Sequence, residues 1–248
     1  MICALMIGRA NSKGFPGKNV TKVLGRYLCE YPLIAAKKSK HVDKIFISTD
    51  CPKISKVGEK YGAILLNRPK HLATNKALGD HVFEDAYFKI KKLLSAQNGK
   101  IKLLVLLMAN APTITDRLID KGINILNNNR HLDSAVTTSV YNMWSPLRAR
   151  RLDKKNFLKP FVPFNTFGNP NTLNCDRDSQ GDVFFADMSV SIVRPHCLEN
   201  LKDGLLPQKW MGKKIAPILS WGGCDVDYKW QIPSVEFWLK TNGYKNKR

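Results

Sequence analysis

The run Arg9-Ala10-Asn11-Ser12-Lys13-Gly14-Phe15-Pro16-Gly17-Lys18-Asn19 places three cations and two glycines in one short loop. Glycines admit backbone N–H groups close to a phosphate, and Arg and Lys neutralise its charge, so this composition suits a polyphosphate. The order fits neither a Walker A loop nor a GxGxxG fingerprint, and a solvated basic loop is the plainer alternative. A second group is Asp225-Val226-Asp227. In a strand this spacing projects both carboxylates from one face, as a divalent ion on a triphosphate requires. Asp176-Arg177-Asp178 repeats the pattern, but it falls in an irregular stretch, whereas Asp225 and Asp227 close a region of alternating strands and helices.

Other candidates are single residues. Asn110 ends an apolar run and is placed to meet a base or a sugar, with a plain strand-to-helix turn as the equal alternative. Arg68-Pro69 and Leu72-Ala73-Thr74-Asn75-Lys76 form a polar loop that either touches a ligand or is simply solvated. The five histidines are isolated and offer neither metal spacing nor a triad.

These residues need elements to hold them. Residues 2–7 and 102–108 are continuous apolar runs, and 44–50 is rich in β-branched and aromatic residues with a polar end; all three read as buried strands. Helical spacing follows over 31–39, 52–61, 80–94 and 115–126, with further strands over 63–67, 134–140, 183–193 and 215–219 and a closing helix over 233–241. Strands alternating with helices predict a mainly parallel sheet covered on both faces, with its ligand site at the carboxyl ends of the strands: residues 8–19, 48–50 and 108–112. Residues 143–182 break the pattern with four prolines and no helical period. Arg148-Ala149-Arg150-Arg151 and the aromatic Phe157, Phe161, Phe164 and Phe167 make this segment a docking arm or dimer contact, because a linker lacks large apolar anchors.

Composition limits the function. The chain has 248 residues, of which 44% are hydrophobic, enough for one large α/β domain and incompatible with disorder. Forty Lys+Arg against twenty Asp+Glu give a formal net charge of +20, which predicts affinity for polyanions. No apolar run reaches the roughly 20 residues of a membrane span, and the first seven residues are too short for a signal segment, so a cytoplasmic protein without membrane partner is expected. The six cysteines are scattered without a CxxC pair, which favours buried thiols over disulfides or zinc.

Together these motifs resemble the acylneuraminate cytidylyltransferase family, the CMP–sugar-acid synthetases. Arg9, Ser12, Lys13, Gly14, Pro16, Lys18 and Asn19 are similar to its A-R-x-x-S-K-G-x-P-x-K-N motif. Ile47-Ser48-Thr49-Asp50 is similar to its I-V-S-T-D, Arg68-Pro69 through Leu72-Ala73 to R-P-x-x-L-A, and Asp225-Val226-Asp227 to its terminal D-I-D. Where the family's central strand ends Q-P-T, this chain reads Met108-Ala109-Asn110-Ala111-Pro112.

The resemblance implies a Rossmann-like three-layer α/β/α fold with a mainly parallel (mixed) sheet: one nucleotidyltransferase domain over 1–248, with 143–182 as dimerisation arm. It implies a CTP site made by Arg9, Ala10, Asn11, Ser12, Lys13, Gly14, Lys18, Asn19, Arg68, Asn75 and Asn110, with Arg9, Lys18, Asp225 and Asp227 as catalytic groups. Asp225 and Asp227 would hold a magnesium ion, Mg²⁺. Asn110, Arg148, Arg150 and Gln180 would meet an anionic sugar-acid acceptor, the last three across a homodimer interface. Two other readings are weighed against this one. A metal-dependent glycosyltransferase would consume a preformed nucleotide sugar and release no pyrophosphate. A basic nucleic-acid-binding module would bind with steep salt dependence, but no RNP, zinc-finger or KH pattern is present, so no specific nucleic-acid partner is expected.

Overall fold

The computed structural model describes residues 1–10, 12–174, 176 and 181–247. Its elements in chain order are β1 (Ile2–Gly8), the hairpin β2 (Lys22–Val23) and β3 (Arg26–Tyr27), α1 (Glu30–Lys38), β4 (Lys44–Thr49), α2 (Pro52–Lys60) and β5 (Ile64–Asn67). Then come α3 (Gly79–Ser95), β6 (Leu103–Met108), α4 (Asp116–Asn128), β7 (Ser134–Val140) and the hairpin β8 (Arg150–Leu152) and β9 (Leu158–Pro160). The chain closes with β10 (Phe184–Val193), α5 (Pro195–Glu199), β11 (Ile215–Leu219) and α6 (Ile232–Thr241).

The main sheet has seven strands in the order β11-β7-β10-β6-β1-β4-β5. β1 pairs in parallel with both β4 and β6, so it lies between two strands and is buried on both faces, which is why its sequence is apolar without alternation. Alternate residues serve opposite layers. Ala4 and Met6 pack under α1, α2 and α4 through Leu33, Ile54 and Ile123. Cys3 and Leu5 pack under α3 and α5 through Phe83, Tyr87, Ile90 and Leu198. This is the expected three-layer α/β/α arrangement. From β1 the chain builds outward through β4 and β5, then crosses on α3 to β6 on the other side of β1, so the strand order reverses at β1. The crevice outside the carboxyl ends of β1, β4 and β6 is where open α/β sheets bind ligands.

β10 is the antiparallel member. Phe184 lies opposite Val140, so β7 and β10 form a hairpin whose loop is the whole segment 141–183. Antiparallel strands joined this way need no crossover helix. The base of that loop is tied by Tyr141 N–H to Val183 O (2.9 Å) and Val183 N–H to Asn142 Oδ1 (2.8 Å). Within it lie the β8–β9 hairpin and several short 3₁₀ turns, local order that the proline count concealed. A third apolar cluster joins the β2–β3 hairpin to α6, with Val23, Leu28, Tyr31, Val235 and Trp238 packed around Val226. Asp225-Val226-Asp227 is therefore not the strand expected; it is a loop pinned at its middle residue by a buried side chain.

Candidate active site

The ends of β1 and β6 and the segment that follows β5 line a cleft of about 280 Å³. The close approach of these ends requires Gly8: a Cβ there would stand 2.6 Å from the Cβ of Ala109 and 3.0 Å from Ile54. After β1 the chain turns across the cleft. The Arg9 guanidinium donates to Thr74 O (3.1 Å), Ala10 N–H donates to Asp50 Oδ1 (2.9 Å), and buried Asn19 donates to Arg9 O (2.9 Å), which closes the loop on itself. Lys18, with a side chain only 13% exposed, forms an ion pair with Asp227.

Arg9, Ser12, Lys18, Asn19, Arg68, Asn75, Asn110, Asp225 and Asp227 all line this one cleft, so residues separated by more than 200 positions meet there. Gly14 packs against the Asp227 backbone, while Ala10 and exposed Lys13 stay outside the lining. Asn11 and Gln180 lie outside the described residues. Arg148 borders a separate recess with Tyr141, Asn142 and Asp182. Arg150 is committed to the arm itself: its guanidinium donates to Leu147 O (2.7 Å) and Ala149 O (3.1 Å) and lies 5.3 Å from the Phe164 ring centre. Neither arginine lines the cleft within one chain.

Electrostatics follow from burial. Arg68 is a buried guanidinium whose Nε donates to Ser48 Oγ (3.3 Å); desolvation holds its pKa below the usual value, against the pull of Asp50. Such a group gains most from an anion. Desolvation raises the Asp225 carboxyl above the ordinary carboxylate range, and the neighbouring Asp227 charge raises it further, opposed by Lys18 and by the Asn110 amide. Asn110 donates to Val226 O (3.1 Å) and reaches Asp225 Oδ2 (3.4 Å), while its own carbonyl accepts from Val226 N–H (2.8 Å). It thus grips the acidic loop from the end of β6.

Sequence reasoning overlooked two parts of the site. Ala77, just before α3, and Gly79 and Val82 in its first turn line the cleft wall. A second cavity, of about 760 Å³, lies on the far side of Asp225 between the end of β10, the turn at 221–224 and α6. Its walls include Tyr141, Trp144, Phe185, Trp221, Trp230 and Phe237, and Asp225 borders both spaces. The arrangement sets a cleft lined by Arg9, Lys18 and Arg68 beside an aromatic chamber, with Asp225 at their junction and Asp227 on the cleft side.

A family model described as cytidylyltransferase matches residues 3–190. The chain belongs to the cytidylyltransferase family. It is 34% identical over 138 residues to post-translational flagellin modification protein B of Campylobacter coli, covering 54% of this chain and 56% of that one. Over 93 residues it is 34% identical to CMP-N,N'-diacetyllegionaminic acid synthase of Legionella pneumophila, covering 37% and 40%. The chain thus spans about half the length of these curated relatives. Its fold is similar to the solved structure of CMP:2-keto-3-deoxy-manno-octonic acid synthetase complexed with CTP: TM-score 0.65, 13% identity, 97% of this chain and 99% of that one covered. Among the described residues, no helix of this family member is long and apolar enough to cross a membrane.

Proposed function

We propose that this cytidylyltransferase activates a sugar acid of the nonulosonic type with CTP, giving a CMP-sugar and pyrophosphate, and that it works as a magnesium-dependent homodimer. The observation that carries the reading is the convergence of Arg9, Ser12, Lys18 and Arg68 on the cleft that also holds Asp225 and Asp227. The acceptor class is that of the Legionella diacetyllegionaminic acid synthase and of the octonic acid synthetase whose fold this chain shares.

In this reading Arg9, Lys18 and Arg68 bind and orient the triphosphate and Asn75 borders the nucleoside. The acceptor oxygen forms a bond to the α-phosphorus, the α–β bridging bond breaks, pyrophosphate leaves and the hydroxyl proton is released. Lys18 and Arg9 stabilise charge on the phosphoryl oxygens as it shifts, which is electrostatic catalysis without a covalent intermediate. Two carboxylates completed by substrate phosphates suit Mg²⁺, which usually keeps waters and takes few protein ligands. The donor set fits: the Asp225 and Asp227 carboxylates lie close enough on the cleft for the charge of one to raise the pKa of the other, a repulsion that a divalent ion would relieve. When bound there, the ion would polarise a phosphoryl oxygen. The aromatic chamber beyond Asp225 supplies faces against which the C–H surface of a sugar packs.

Dimerisation is supported by the arm, where Leu152, Phe157, Leu158 and Phe161 are each more than 60% exposed on and beside the β8–β9 hairpin. A contiguous apolar surface of this kind calls for a partner, and a second copy would bring Arg148 and Arg150 toward the neighbouring site.

The test is pyrophosphate release from the purified protein with Mg²⁺, each of the four nucleoside triphosphates in turn, and a panel of nonulosonic and octulosonic acids. Release with CTP and one acid is the expected outcome. Release with a different triphosphate, or no release combined with no CTP binding, would overturn it.

A further inference from the structure

Besides Asn110, the acidic loop is held by side chains that belong neither to the cleft nor to the loop, and the source of two of them is an irregularity in β10. The pairing of β10 with β7 slips between Ala186 and Ser191, and Met188 adopts φ 62°. Bulges re-aim side chains and recur beside functional sites. This one turns Asp187 and Ser189 toward the loop, and both are buried.

Two short relays run from the bulge. In the first, Asp187 Oδ1 accepts from Ser189 N–H (3.1 Å) and Oδ2 accepts from the Ser139 hydroxyl (2.6 Å), whose oxygen in turn accepts from Gly223 N–H (3.1 Å). In the second, Thr113 donates its hydroxyl to Cys224 O (3.1 Å), and its oxygen accepts from Cys224 N–H (2.9 Å) and lies 2.9 Å from the Ser189 hydroxyl. Ser139, Thr113 and Ser189 are as buried as Asp187, so each hydroxyl has its partners only in this arrangement. The fit at the end of the first relay admits only glycine: a Cβ at position 223 would lie 2.2 Å from Asp187 Oδ2. The two relays thus fix the backbone of 223 and 224, immediately before Asp225, and Val226 is anchored beyond it by Asn110 and the third apolar cluster.

We propose that Asp187 is a positioning residue for Asp225, acting through Ser139 and the Gly223 backbone to set where that carboxylate stands between the cleft and the aromatic chamber. The inference rests on the reading above, in which Asp225 holds the metal of the CTP complex. Asp187 itself borders the chamber rather than the cleft, so it sets metal affinity without touching the triphosphate. Asp187→Asn keeps the shape and the acceptor for Ser189 N–H but replaces the acceptor for Ser139 with a donor. Ser139→Ala removes the relay while leaving the carboxylate in place.

The measurement is direct binding of Mn²⁺, followed by electron paramagnetic resonance of the free ion, to wild type, Asp187→Asn, Ser139→Ala and Asp225→Ala in the presence of CTP. Both relay variants are expected to bind Mn²⁺ about tenfold more weakly, the lower end of what supporting residues contribute at metal sites. KM for CTP at saturating metal should stay within about twofold, and turnover should be restored by excess Mg²⁺. Wild-type Mn²⁺ affinity in either folded relay variant would overturn the positioning role while leaving the proposed activity standing. Failure of the wild-type protein itself to bind Mn²⁺ with CTP would overturn both.

Discussion

The cleft and the aromatic chamber meet at Asp225, yet they are made from opposite materials. The cleft is built by the carboxyl ends of parallel strands, which deliver Arg9 and Lys18 after β1, Arg68 after β5 and Asn110 after β6. The chamber is built where the sheet turns antiparallel, and its rings come from the β7–β10 hairpin, the 221–224 turn and α6. One space favours charge and the other favours flat apolar surface, so the proposed reaction between a triphosphate and a bulky, partly apolar acceptor belongs at their shared wall, at Asp225. The comparison teaches how a mixed sheet can divide labour: in the proposed function its parallel half serves the triphosphate and its antiparallel half serves the acceptor.

The strongest way to break that division is at the cleft. Lys18→Ala and Asp225→Ala should each reduce turnover by about 10²- to 10³-fold with an unchanged circular dichroism spectrum, as loss of a preorganised electrostatic group does. An effect confined to acceptor KM would place the residue on the wrong side of the wall. Next in size is the arm, where Phe161→Glu is expected to weaken self-association at least about tenfold, read by sedimentation velocity. A variant that sediments like the wild type at every concentration would remove the arm from the interface. On the chamber side, Trp230→Ala should raise acceptor KM about tenfold and leave CTP KM within twofold. Equal changes in both constants would erase the distinction between the two spaces. The smallest effect concerns the wall itself. Burial pushes the Cys224 thiol up to about 12, with Asp225, Asp187 and Asp227 adding to the shift, and burial takes Cys29 and Cys197 to about 12 as well. A raised thiol pKa leaves almost no thiolate at about pH 8, so these three cysteines should be inert to a disulfide reagent until the protein unfolds. Rapid labelling of Cys224 in the native protein would mean that the wall is open.

Much of this was legible in the sequence. The apolar runs over 2–7 and 102–108 and the β-rich run over 44–50 are β1, β6 and β4, because central strands buried on both faces leave few polar residues in the record. The basic loop stood out by composition, and the structure sets Arg9, Ser12, Lys18 and Asn19 along the cleft after β1. The described cysteines are free thiols, four of them buried, as their scattered spacing implied. The acidic pair was found, but in the wrong local structure: Val226 between two aspartates looks like strand alternation, whereas its burial comes from the third apolar cluster contributed by the N-terminal hairpin and α6. The chamber left no local signal, since Tyr141, Phe185, Trp221 and Phe237 come from separate segments and only the bulged strand and the 221–224 turn bring them together. Asn110 showed as a strand-end residue, and only the structure reveals that its amide is spent on the acidic loop.

The ion pair between Lys18 and Asp227 has a thermodynamic corollary. In the proposed function each partner is a ligand group for a species of opposite sign, so an anion that recruits Lys18 would liberate a carboxylate, and a cation that recruits Asp227 would liberate an ammonium. Affinities for the two species are then linked, and whatever factor one contributes to the other must be returned in equal measure. Titrating a triphosphate at several divalent-ion concentrations would read that reciprocity directly, as a single heterotropic coupling constant approached from either side.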